Sequence, residues 1–232
     1  MNSKGSIKHM KKYVSNTIVV LSDTYPDAEI SLNYSNNFEL LVAVILSAQC
    51  TDERVNKVTE KLFEKYKLIE EYAQVDSREF SKDISSITYF NQKSRWIVET
   101  AKDILEMHDG NVPDNMEDLL NLPGVGRKTS NVVLQHGYGA IEGIVVDTHV
   151  MRLSRRMGFT EKRNRDAIER ELMEIVPKNK WRMYTHLMIA HGRAICKARH
   201  PECESCPLEN ECPSSRNSST IDLANGKNWL KK

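Results

Sequence analysis

The sequence predicts an all-α fold of roughly ten helices at the usual helix length of about 11–12 residues, and three observations carry that reading. Apolar residues recur at three- and four-residue spacings through most of the chain. Strand-like alternation is sparse. Glycine or proline stands where several periodic segments stop.

Taken in order, the apolar runs at 18–21 and 40–46 read as buried helix segments. Asp52 stands where it can cap a helix with Val55, Val58, Leu62 and Phe63 on one face. Trp96, Ile97, Ala101, Ile104 and Leu105 repeat the pattern, with Gly110 as the stop. One helix then ends near Asn121. The turn Leu122-Pro123-Gly124-Val125-Gly126 follows, and a second helix starts near Arg127, carrying Val132, Val133 and Leu134. The run at 144–146 is apolar but of open type, and a helix over 148–157 follows it. Ala167, Ile168, Leu172 and Ile175 form a further helix that ends before Pro177. Residues 214–232 read as a loose tail.

Composition sets the outer limits. The 232 residues suit one large domain or two small ones, and 40% hydrophobic with 28% charged residues suit a globular core. A net charge of +1 gives no global argument for nucleic acid, so that case rests on local patches. The longest apolar run is far too short to span a bilayer, and the first dozen residues are polar and basic rather than a leader. The expected setting is intracellular, in cytoplasm or nucleoid. Five cysteines in such a reducing compartment suggest metal or redox chemistry before disulfides.

The turn at 122–126 carries chemistry. Glycine allows a ligand close to the backbone, and the N–H groups opening the next helix suit a phosphate oxygen. An ordinary turn between helices is the plain alternative. A P-loop does not fit, because Arg127 stands where its glycine would precede the lysine. Lys128 follows Arg127 in the first helical turn, where a neighbouring cation and the positive helix end both disfavour a charged ammonium. A neutral lysine can attack a sugar carbon and form a Schiff base. An exposed lysine that merely binds phosphate is the alternative. Asp147 closes the run at 144–146. It can serve as a helix N-cap, or as a carboxylate that stabilises a cationic sugar.

Cys196, Cys203, Cys206 and Cys212 fall within 17 residues, spaced C-x6-C-x2-C-x5-C, which points to a shared metal. Spacing alone leaves zinc and iron–sulfur open. Cys50 is left over and reads as a packed thiol in an apolar helix. Between Val176 and His200 stand Lys178, Lys180, Arg182, Arg193, Lys197 and Arg199, with no acidic residue. Such a face is either simply solvated or a contact for nucleic-acid phosphates, and its position beside a phosphate-suited turn favours the contact.

Three motifs together, Leu122-Pro-Gly-Val-Gly-Arg-Lys-Thr129, Val146-Asp-Thr-His149 and the cysteine spacing, resemble the endonuclease III family, bifunctional DNA glycosylases with lyase activity. Leu46-Ser-Ala-Gln-Cys-Thr-Asp52 matches the family's helix and loop near the flipped base. The resemblance covers about 33–213. It implies two helical lobes with DNA in the cleft between them. One lobe, 31–140, is a six-helix barrel ending in a helix-hairpin-helix. The other joins the N-terminal helix, 1–30, to 141–213 and holds a [4Fe-4S] cluster on Cys196, Cys203, Cys206 and Cys212. Lys128 is then the nucleophile and Asp147 its carboxylate partner. Gln49 fills the space left by the extruded base, and the cluster shapes the loop 197–202 that meets the DNA backbone. The implied DNA contacts are Gln49, Tyr89, Leu122, Gly124, Val125, Gly126, Arg127, His149, Arg193, Lys197 and Arg199. The implied partner is a duplex carrying a damaged base or abasic site, met by a monomer with no membrane association.

One departure concerns the wedge that enters the base stack. The family often has glycine before it, whereas here Thr88 precedes Tyr89. Three other readings share parts of the pattern. Mismatch-specific thymine or adenine glycosylases share hairpin and cluster but commonly lack the lysine, and the adenine-excising ones carry an acid where Ser47-Ala48-Gln49 offers none. A non-catalytic DNA-binding module needs neither Lys128 nor Asp147. A ferredoxin-like carrier needs no phosphate turn.

Overall fold

Local chemistry fixes most helix ends in this computed structural model, which describes residues 3–215, with side chains from residue 7 onward. The described residues form eleven α-helices and no strand. They are α1 (Ser3–Thr24), α2 (Asn37–Ser47), α3 (Asp52–Lys65), α4 (Ile69–Gln74), α5 (Ser77–Asp83), α6 (Phe90–Met107), α7 (Met116–Asn121), α8 (Arg127–Gly137), α9 (Thr148–Arg156), α10 (Arg165–Ile175) and α11 (Trp181–Ala194). Side chains of Asn36, Thr51, Asp76, Asn115, Asp147 and Asn164 each accept a first-turn backbone N–H, the bond that short polar residues make best at a helix start. The cap of α3 is therefore Thr51. Asp52, expected as the cap, is the first helical residue, where its charge still suits the positive helix end. Gly110, at φ +76, donates to Ile104 O at 3.1 Å and stops α6 as expected.

The chain divides into two units. One is Ser31–Glu142 and carries α2 to α8; the other joins α1 to the chain from Gly143 onward. In the first unit, every residue of the run at 40–46 is buried, because α2 packs against α3, α6 and α8. Full burial of each such aliphatic side chain contributes about 1.5–3 kcal/mol. Phe38, Tyr66, Tyr72 and Phe80 form a second, aromatic part of this core. In the other unit α11 packs against α9 and α1, and α1 also meets α10. Ile18 and Leu21 are buried there while Val19 is exposed, so the run at 18–21 is one face of an amphipathic helix and not wholly interior. The run at 144–146 is neither helix nor strand. It is a buried segment without regular secondary structure, held in part by Thr185 Oγ1 donating to Val145 O at 3.2 Å.

No described helix is long and apolar enough to cross a membrane. Of the stretch 214–232 expected as a loose tail, Ser214 is buried and its Oγ donates to Arg156 O at 2.7 Å. The remainder from 216 lies outside the described residues.

Candidate active site

The hairpin is built by α7, a five-residue turn and α8. Leu122 and Val125 are buried and anchor the turn, Val125 N donates to Leu122 O at 3.2 Å, and Thr100 Oγ1 holds Pro123 O at 3.0 Å. The two glycines differ. Gly124 has φ +74, and a Cβ there would sit 2.7 Å from the Trp96 indole, so both backbone and space demand glycine. Gly126 caps α8 at φ −108, ψ 174, a conformation open to any residue, and a Cβ there would meet nothing within 4 Å. What its missing side chain leaves open is the space outside the hairpin. The first N–H groups of α8 have no acceptor within the helix, and Arg127 and Lys128 are exposed beside them.

Gln49 and Tyr89, in two loops of the same unit, are non-glycine residues in left-handed conformation. Gln49, just past the end of α2, has φ 56 and is exposed; Tyr89, which opens α6, has φ 59 and is 60% exposed. Thr88 therefore does not prevent Tyr89 from projecting. Cys50, expected as a packed thiol in a helix, lies beyond α2 and is only half-buried.

In the other unit Asp147 caps α9, its Oδ1 accepting Val150 N–H at 2.7 Å. The capping role thus exists, and it occupies one oxygen of a half-buried carboxylate. His149 packs so closely on α11 that a Cβ on Gly192 would lie 2.5 Å from its Nδ1. Arg152 clasps the same place: Nη2 donates to Gly192 O at 3.0 Å and Cys196 O at 3.1 Å. Arg156 continues the clasp, with Nη1 donating to Cys196 Sγ at 3.2 Å and Lys197 O at 2.7 Å, and Nη2 to Ala198 O at 3.0 Å. Sequence reasoning missed both arginines. The available signal was a cationic pair at helical i, i+4 spacing, which reads equally well as a solvated last turn.

Cys196, Cys203, Cys206 and Cys212 line one small apolar cavity of about 30 Å³, with Arg156 and His191 on its wall. His191 spans from Tyr25 Oη, 3.0 Å from Nδ1, to Cys206 Sγ, 3.5 Å from Nε2. Burial pushes the Cys212 thiol up to about 11, and the charges of Cys196, Cys206 and Cys203 add to that. Cys206 is raised for the same leading reason. A positive group would relieve both effects, and sulfur-directed donors such as Arg156 suit thiolates better than thiols. Four thiols lining one cavity are a donor set of the kind that holds a thiolate-ligated metal or an iron–sulfur cluster. Among the described residues no group of three or more His, Cys, Asp or Glu is gathered for a metal ion.

Arg193, Lys197 and Arg199 are exposed, as a backbone contact requires. Lys197 is not uncompensated, however: Nζ pairs with Glu202 Oε1 at 2.6 Å. That acid lies just past the acid-free stretch, and the chain curls back to bring it in.

Residues 42–178 match the HhH-GPD superfamily of base excision DNA repair proteins. An endonuclease III of Synechocystis sp. is 46% identical over 89% of this chain and 94% of its own length. The chain belongs to the endonuclease III family. Among solved structures, a trapped endonuclease III–DNA covalent intermediate aligns at TM-score 0.83 and 43% identity, covering 87% of this chain and 95% of that one. A thermostable thymine-DNA glycosylase aligns less well, at TM-score 0.76 and 27% identity over 88% and 95% of the two chains. Family membership places the chain in base excision repair and makes DNA its partner.

Proposed function

We propose that the chain is a DNA glycosylase and abasic-site lyase that removes an oxidised pyrimidine through Lys128 and Asp147. One observation carries the reading: Lys128 is exposed in the first turn of the hairpin's second helix, in a chain 43% identical to a protein trapped covalently on DNA. The hairpin amides at 124–128 and the exposed Arg193 and Arg199 grip phosphates, contacts that position the duplex without reading sequence. Gln49 and Tyr89 occupy the stack when the damaged nucleotide is turned out.

The Lys128 amine then bonds to C1′ of the sugar as the bond from C1′ to the base breaks. The electron pair leaves with the base, which takes up a proton, and the lysine gives one up. The Asp147 carboxylate stabilises the positive charge that builds on the sugar. Opening of the sugar ring gives an imine between Lys128 and C1′. The imine acidifies the C2′ proton; its removal gives a C1′=C2′ enamine, whose electrons form a C2′=C3′ double bond as the 3′ phosphate leaves, which restores the imine and cuts the strand. Water finally releases Lys128.

Cys196, Cys203, Cys206 and Cys212 would hold a [4Fe-4S] cluster, which supplies a structural anchor when bound and takes no part in these steps. Arg156 fixes the following loop to Cys196, so that Lys197 and Arg199 are presented from a held segment. A DNA substrate also fits the expected intracellular setting. The thymine-mismatch reading is disfavoured by the lower identity of the thymine-DNA glycosylase and by the presence of Lys128.

The test is a panel of duplexes with one oxidised pyrimidine, one thymine mismatch or one adenine mismatch, assayed at single turnover. The reading expects excision and strand cleavage on the oxidised pyrimidine. Preferred release of mismatched thymine, without cleavage, overturns it.

A further inference from the structure

Lys93 is a charged side chain that the chemistry above does not use. It lies on the inward stripe of α6 with Ile97, Ala101 and Ile104, and it is only 1% exposed. Burying a charge is costly unless it is bonded, and here its Nζ donates to Leu46 O at 2.8 Å and Ala48 O at 2.5 Å. These carbonyls stand at the C-terminal end of α2, where acceptors outnumber donors and the helix dipole is negative. Burial draws the Lys93 ammonium down from the ordinary lysine value, with Cys50 opposing.

The residue just past those carbonyls is Gln49. At the other end of Lys93, its backbone N–H donates to Tyr89 O at 3.1 Å, beside the Gln92 N–H at 3.0 Å. One lysine thus touches the loops of Gln49 and Tyr89, each a left-handed, non-glycine residue with an exposed side chain. Such conformations are costly and persist where the surroundings over-determine them. The side-chain end of Lys93 fixes one and its backbone end the other, through the interior of the unit.

We propose that Lys93 is a positioning residue that locks the Gln49 and Tyr89 loops to each other, so that both side chains enter the base stack as one preset pair. The proposal rests on the reading of Gln49 and Tyr89 as the residues that fill the opened stack. The lock acts before chemistry. It governs turning the nucleotide out of a paired duplex and not imine formation at a sugar that has already lost its base.

The experiment compares single-turnover excision of a paired oxidised pyrimidine with borohydride trapping on a preformed abasic site. Lys93→Met keeps the aliphatic stem and removes all three donors. Excision is expected to fall roughly tenfold to a hundredfold, the effect of a small misplacement of a positioning group, while trapping is little changed. Making the same substitution in a Gln49→Ala background should cost much less, because the locked residue is already gone. Lys93→Gln retains one amide donor and carries the same cycle if Lys93→Met does not fold. Equal loss in both backgrounds, or equal loss of excision and trapping, overturns the lock and leaves a merely structural lysine. If Gln49→Ala and Tyr89→Ala each leave excision unchanged, the stack-filling reading fails first, and the lock fails with it.

Discussion

Asp147 Oδ1 accepts the Val150 N–H at 2.7 Å, so the carboxylate assigned to catalysis is also the N-cap of α9. The two roles separate in one substitution. Asparagine caps a helix about as well as aspartate, so Asp147→Asn removes the charge and keeps the cap. Thermal unfolding should be nearly unchanged, while base excision falls by about 10²–10³, the usual loss of one preorganised electrostatic group. Asp147→Ala should lose the cap as well, at about 1 kcal/mol. Unchanged excision by Asp147→Asn would leave the residue as a cap alone.

The hairpin glycines should respond differently. Gly124→Ala meets both a φ of +74 and the Trp96 ring at 2.7 Å, and overpacking of this kind costs about 1–3 kcal/mol beyond the backbone strain. It should lower the melting temperature clearly. Gly126→Ala meets neither obstacle, so stability should hold within about 0.5 kcal/mol. Its added methyl group points into the space where a phosphate must approach, so DNA affinity should drop. Melting curves and duplex binding on the same two proteins check the contrast; equal affinity losses at equal stability would remove the phosphate role of the turn.

Charge at the cysteine loop should be unequal in effect. Arg199→Ala should weaken binding to every duplex and reduce the slope of affinity against salt by about 1. Lys197 already pairs with Glu202, an exposed bond worth about 0–1 kcal/mol, so Lys197→Ala should do less. Glu202→Gln frees Lys197 and should tighten binding at low salt. Salt titrations on damaged and undamaged DNA measure all three, and a lesion-dependent effect of Arg199→Ala would mean that it is not a backbone contact.

Acid should destabilise the unit that contains α11. Burial, aided by Arg182 and opposed by Glu29, lowers His186 to about 4, against about 6.5 unfolded. Between those values the unfolded chain binds more protons. Stability from the neutral ring is therefore complete above about pH 6.5 and lost as pH falls toward 4, by about 3 kcal/mol in all. His186→Gln should flatten that part of the profile in chemical denaturation. An unchanged pH profile would show that His186 titrates alike in both states.

Helix positions and the hairpin were legible because they depend on local signals. The apolar run at 40–46 could only be interior, and a Pro-Gly turn before a cationic helix start is read from adjacent residues. What stayed hidden depends on distant partners. Lys93 sits at helical spacing from Ile97, yet a lysine on an apolar stripe reads as a solvated edge until the carbonyls of Leu46 and Ala48 are seen beside it. Arg152 and Arg156 looked like an ordinary basic last turn, because their acceptors lie about forty residues away along the chain. Lys197 looked unpaired because Glu202 falls beyond the stretch that defined the basic face. The left-handed backbone of Gln49 and Tyr89 left no mark in residue type, since neither is glycine or asparagine.

The central claim is that the Lys128 amine is the nucleophile, and borohydride trapping on abasic DNA tests it most directly. Only an amine forms the reducible imine. Lys128→Gln removes the amine and keeps a similar length and polarity, on an exposed position where folding should not suffer. The expected result is no covalent protein–DNA adduct from Lys128→Gln, with affinity for abasic DNA close to that of the unaltered chain. Full trapping by Lys128→Gln would show that another amine attacks the sugar and would contradict the assignment.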